Sequence, residues 1–163
     1  MSMFENPGYR WRETYLVMFH SQHRPKTNKV EHVLRRLDSR YRLSNMRSTP
    51  EGDFESLTLI SPDDYAALDI CFVEGEDVAD QAAELQKEIK PDDLPRSARE
   101  KLKQLPQFDA RFDVLHFEQI ALEDEDEDEE MLDPGSLLLV LAALAKLTKG
   151  VAIDPQSGAI LED

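Results

Sequence analysis

The chain has 163 residues, one cysteine and a formal net charge of −15. Its length suffices to bury roughly 70% of the unfolded surface without staples, and Cys71 alone cannot form an internal disulfide. The negative excess opposes general affinity for nucleic acid or anionic membrane, because binding to phosphates depends on Lys and Arg.

That net charge hides a division. Residues 1 to 50 carry ten basic and four acidic side chains, a net of +6, whereas residues 51 to 163 carry nine and thirty, a net of −21. Such asymmetry hints at electrostatic contact within the fold or with a partner. Residues 1 to 10 lack the basic start and apolar core of a signal peptide, so a reducing cytoplasm is the expected compartment.

Trp11 to His20 is rich in aromatic and β-forming residues, with an unbroken apolar run from Tyr15 to Phe19. A strand covered on both faces is predicted there. After a loop at 21–25, Thr27 is placed to cap a helix whose Val30, Val33, Leu34 and Leu37 share one face. Tyr41 to Ser48 reads as a strand of weak alternation, and Pro50 and Gly52 mark a turn. Phe54 to Ile60 and Tyr65 to Glu74 form a predicted hairpin around Ser61-Pro62-Asp63-Asp64. In its second strand Ala66, Leu68, Ile70 and Phe72 are assigned to the core, and Ala67, Asp69, Cys71 and Val73 to the other face.

Past Gly75, the acids Glu76 and Asp77 suit a helix start, and Val78, Ala82, Leu85 and Ile89 repeat at helical spacing before Pro91. Pro95 opens a shorter helix with Ala98, Leu102 and Leu105 inward, stopped by Pro106. Phe108 to Ile120 returns to strand composition, and apolar residues on both of its faces imply a bulge or two-sided burial. Glu123 to Glu130 is eight consecutive acids, predicted to be a solvated flexible linker spanning 122–132.

Leu137 to Ala145 is an uninterrupted apolar run. At about 13 Å as a helix it is too short for a bilayer, so a buried helix is predicted, with Asp133 as its N-cap, Pro134 at its first position and Gly150 as its left-handed end. It has no broad wet face, so other elements or a second copy must cover most of it. A small hairpin, Val151 to Ile153 with Ala159 to Leu161, closes the chain.

The order of elements points to an α+β fold with a mainly antiparallel sheet, helices packed on one face and a ferredoxin-like, split βαβ topology. Three parts are expected: a body over 1–121, the acidic linker over 122–132, and the apolar helix and hairpin over 133–163 packed back on the body.

Chemistry-bearing motifs are scarce. His20 and His23 end the first strand, with His32 and His116 elsewhere, and nothing in their spacing implies the three or four converging donors that zinc needs. Cys71 has no basic sequence neighbour to activate it. No nucleophile elbow and no phosphate-cradling glycine loop occurs. Glu13, Glu55 and Asp69 fall on predicted strands, where paired carboxylates could in principle do acid and base work with His116. Arg24, Lys26, Lys29, Arg35, Arg36, Arg40, Arg42 and Arg47 form a basic concentration, read as a solvated face balancing nearby acids.

The expectation is therefore a non-enzymatic interaction or regulatory module that meets a protein partner or a second copy, with no catalytic, cofactor or metal residues assigned. A small-molecule sensor is the alternative, and a hydrolase-like enzyme using strand carboxylates the third.

Overall fold

The computed structural model describes residue 3, residues 6–120 and residues 134–161. At its centre is β1 (Tyr9–Phe19). Leu16, Val17, Met18 and Phe19 are all buried, so both faces of this strand are covered, as its unbroken apolar run requires.

β1 pairs antiparallel with β5 (Ala110–Gln119) on one side and with β6 (Val151–Asp154) on the other. Outward from β5 run β4 (Ala66–Glu74), β3 (Phe54–Ser61) and β2 (Arg42–Ser48), and outward from β6 lies β7 (Ala159–Leu161). The result is a seven-stranded sheet in which every pairing is antiparallel, in the order β2-β3-β4-β5-β1-β6-β7. This makes the fold α+β. The ferredoxin-like topology is not confirmed, because the sheet is larger than that fold.

Helices lie on both faces rather than on one. α1 (Thr27–Leu37) and α4 (Gly135–Thr148) pack through Val30, Leu34, Leu137, Val140, Leu141 and Leu144 onto the face carrying Val17, Phe19, Leu68, Ile70, Phe112 and Val114. α2 (Glu76–Glu88) and α3 (Arg96–Gln104) pack through Val78, Ala82, Leu85, Ala98 and Leu102 onto the opposite face, around Leu16, Met18, Val151 and Ile153. The alternation of β1 makes this unavoidable, since successive residues supply the two cores.

Three local expectations are corrected. Lys26, not Thr27, occupies the cap position of α1; Thr27 is the first helical residue, and its buried hydroxyl has no partner among the described residues. The left-handed residue ending α4 is Lys149, with φ 55°, whereas Gly150 is required for close packing. A Cβ on Gly150 would lie 2.3 Å from the Met18 carbonyl oxygen, so the chain could not enter β6 so close to β1. In β4 the face given to solvent is partly enclosed: Ala67 packs with Met3 and Phe117, and Asp69 is only 6% exposed.

β5 has the expected two-sided burial and runs in continuous register against β4, and the irregularity falls instead in β1, between Trp11 and Glu13. The predicted cap Asp133 and the acidic run from Glu123 to Glu130 lie outside the described residues.

Candidate functional site

α2 and α3 leave the β2–β4 end of their sheet face open. There Asn45 and Arg47 from β2, Ser56 and Thr58 from β3, Asp69 and Cys71 from β4 and Leu115 from β5 line a shallow bowl of about 240 Å³. Asp69 is held fast: one carboxylate oxygen accepts the Thr58 hydroxyl at 2.7 Å and the other the backbone N–H of Met3 at 2.8 Å. It thus works as a tether that pins Met3 over Ala67 and Phe117. Burial pushes the Cys71 thiol above its ordinary pKa, and the carboxylates of Asp69 and Asp113 push it further, so it is a neutral thiol rather than a nucleophile.

Of the four sequence candidates for acid and base work, the structure brings two together. Glu13 and His116 face each other across β1 and β5, with Glu13 Oε1 3.1 Å from His116 Nδ1. The Glu13 charge also acts on the Tyr15 phenol, whose pKa is raised first by burial and then by that charge. This resembles a base held by an orienting carboxylate. However, the His116 side chain is 1% exposed, and its Nε2 has no partner among the described residues. A substrate would have to reach a buried nitrogen. Asp69 lies on the other sheet face, since β4 sets Leu68, not Asp69, opposite His116, and Glu55 is exposed on β3. These side chains do not form one centre.

His20 and His23 lie with ring centroids 6.3 Å apart, and His20 Nδ1 accepts the Gln22 N–H at 3.1 Å, which commits that lone pair locally. Among the described residues no group of three or more His, Cys, Asp or Glu is placed to hold a metal ion. Close by, Asp109 accepts the backbone N–H and hydroxyl of Ser21 at 2.8 and 2.9 Å. Burial alone would raise its pKa, but these donors outweigh burial and hold it below the usual aspartate value.

Much of the N-terminal basic concentration is spent inside the fold. Arg24 donates to the Phe54 carbonyl at 3.1 and 2.8 Å and stacks 3.9 Å over the Phe72 ring. Lys26 pairs with Asp53 at 2.8 Å, Arg35 with Glu31 at 3.1 Å, and Arg40 with Asp63 at 2.8 Å.

The largest departure from expectation is on α4. Its inner side is buried as predicted, but Leu138 and Leu139 are 52% and 51% exposed on the outer side. Together with Gly135, Ala142, Ala145, Ala152 and Leu161 they line a groove of about 500 Å³ running from α4 to the edge strand β7. A uniformly apolar run carries no phase from which to read this. A charged groove of similar size, about 530 Å³, lies between α2 and α3 and includes Lys87, Arg96, Arg99 and Lys103. Neither was marked by a motif, because each gathers residues from two or more elements.

No helix among the described residues is long and apolar enough to cross a membrane. No family model, no curated protein and no solved structure matches the chain.

Proposed function

We propose that this chain is a non-enzymatic interaction module that associates with a second copy through the outer face of α4 and the adjoining edge of β7. The observation that carries the reading is the side-by-side exposure of Leu138 and Leu139 over an apolar groove. Contiguous apolar surface of this kind marks interaction sites on soluble proteins.

A second copy fits the shape of this face. The face holds both projections and recesses, Leu138 and Leu139 beside Ala142 and Ala145, the mixture that an isologous twofold contact needs.

A sensor for a small apolar molecule is the second reading, because about 500 Å³ falls within the range of small-ligand sites. Sedimentation equilibrium separates the two. A dimer that Leu139→Glu converts to a monomer of unchanged fold supports the first reading. A monomer at all concentrations rejects it, and a metabolite that raises the melting temperature of the wild type but not of Leu139→Glu then supports the second.

A further inference from the structure

The chain is strongly acidic beyond residue 50, yet six of the nine Lys and Arg residues there fall between Lys87 and Lys103. The fold turns this cluster into a groove. Gln86 Nε2 donates to the Leu102 carbonyl at 3.2 Å and fastens α2 to α3, with Leu102 buried between them. Lys87 stands on one bank, and Arg96, Arg99 and Lys103 on the other, with Glu100 as the carboxylate among the lining residues. Unlike Lys26, Arg35 and Arg40, the cations Lys87, Arg96, Arg99 and Lys103 have no ion-pair partner among the described residues.

Their arrangement selects the shape of the ligand. Arg96, Arg99 and Lys103 stand at i, i+3 and i+7 on one side of α3, a line about 10 Å long by helical rise. A single phosphate or carboxylate is held by donors converging on a point, whereas a line of cations over an apolar floor matches a line of anions with some aliphatic stem. The floor here is Leu102 and Pro91. A single-stranded nucleic acid also presents a line of anions. Its binding relies on aromatic stacking, which no lining residue supplies.

We infer that the α2–α3 groove is a docking site for an acidic peptide segment, laid extended along α3 with its carboxylates on Lys87, Arg96, Arg99 and Lys103. This surface lies on the opposite helical layer from α4, so the inference stands or falls independently of self-association.

The test uses a fluorescent peptide, Glu-Asp-Glu-Asp-Glu-Asp-Glu-Glu, titrated with the full chain at low salt and followed by anisotropy. A second form of the full chain, with each Glu of 123–130 changed to Gln and each Asp to Asn, keeps the chain's own acidic run from masking the site. Saturable binding is expected to one form or both, weakened at least tenfold by Arg96→Glu with Arg99→Glu, several-fold by Arg99→Gln alone, and not at all by Arg36→Glu on α1. Raising salt from about 0.05 to 0.3 M shortens the screening length and should weaken it about tenfold. Failure of the peptide to bind either form would overturn the inference. So would equal binding by the Arg96→Glu, Arg99→Glu chain, or equally tight binding of an eight-residue oligothymidylate.

Discussion

α4 and α3 pack on opposite faces of one sheet with the same kind of side chain and turn opposite chemistries outward. Inward, α1 and α4 offer valine and leucine, and α2 and α3 offer valine, alanine and leucine. Outward, α4 shows Leu138 and Leu139 beside alanines, whereas α3 shows Arg96, Arg99 and Lys103. The inner sides are fixed by the energy of burial, about 25 cal/mol per Å² of apolar surface. The outer sides contribute little to that energy, so their composition is free to differ between the two helices.

The contrast is broken most severely on α4 itself. Leu141→Asp forces an unpaired charge into a site 1% exposed and should abolish the cooperative urea transition. The gentler pair sharpens the comparison: Leu141→Ala should cost about 2–5 kcal/mol, and Leu139→Ala within about 0.5 kcal/mol in the monomer. Equal losses in urea melts would show that the inner and outer sides are misassigned. Next comes Gly150→Ala, expected to destabilise by about 1–3 kcal/mol, because the added carbon meets a backbone oxygen that cannot move aside cheaply. An unchanged melting temperature would contradict the close approach of α4's exit to β1.

Smaller effects probe the loops and the open bowl. The pKa of Asp109 is depressed in the folded chain, so its contribution to stability is present above the unfolded aspartate value, near 4, and fades as pH falls through the lower folded value. Asp109→Asn should therefore lose about 1 kcal/mol at pH 7 and show a shallower decline in acid than the wild type. Parallel pH profiles would remove Ser21 as the cause. The smallest effect is kinetic: Cys71, neutral and half-buried, should react with iodoacetamide at pH 7 more slowly in the folded chain than in urea. A faster folded reaction would mean an activated thiolate.

What was legible in the sequence was whatever repeats locally. Val30 with Leu34, and Val78 with Ala82 and Leu85, announced the inner faces of α1 and α2 by spacing alone. The four-residue run from Leu16 to Phe19 already demanded cover on both sides of β1, and so argued against a single layer of helices. Strand order was hidden because the partners of β1 lie about a hundred residues away or more. The pairing of Glu13 with His116 was hidden too, since it depends on a register shift between Trp11 and Glu13. Leu138 and Leu139 could not be told from Leu137 and Leu141 without the helix in place, and the cations of α2 and α3 converge only once Gln86 reaches Leu102.

The position of β1 bears on how the protein is made. Within the chain β1 precedes both of its neighbours, residues 110–119 and 151–153. All the residues between β1 and β5 must therefore be translated before β1 finds a hydrogen-bonding mate. Pairing over such separations is slow, since loop closure comes before the contacts that reward it. A chain made only as far as β5 leaves the β6 side of β1 unpaired, an open edge at the heart of the future sheet.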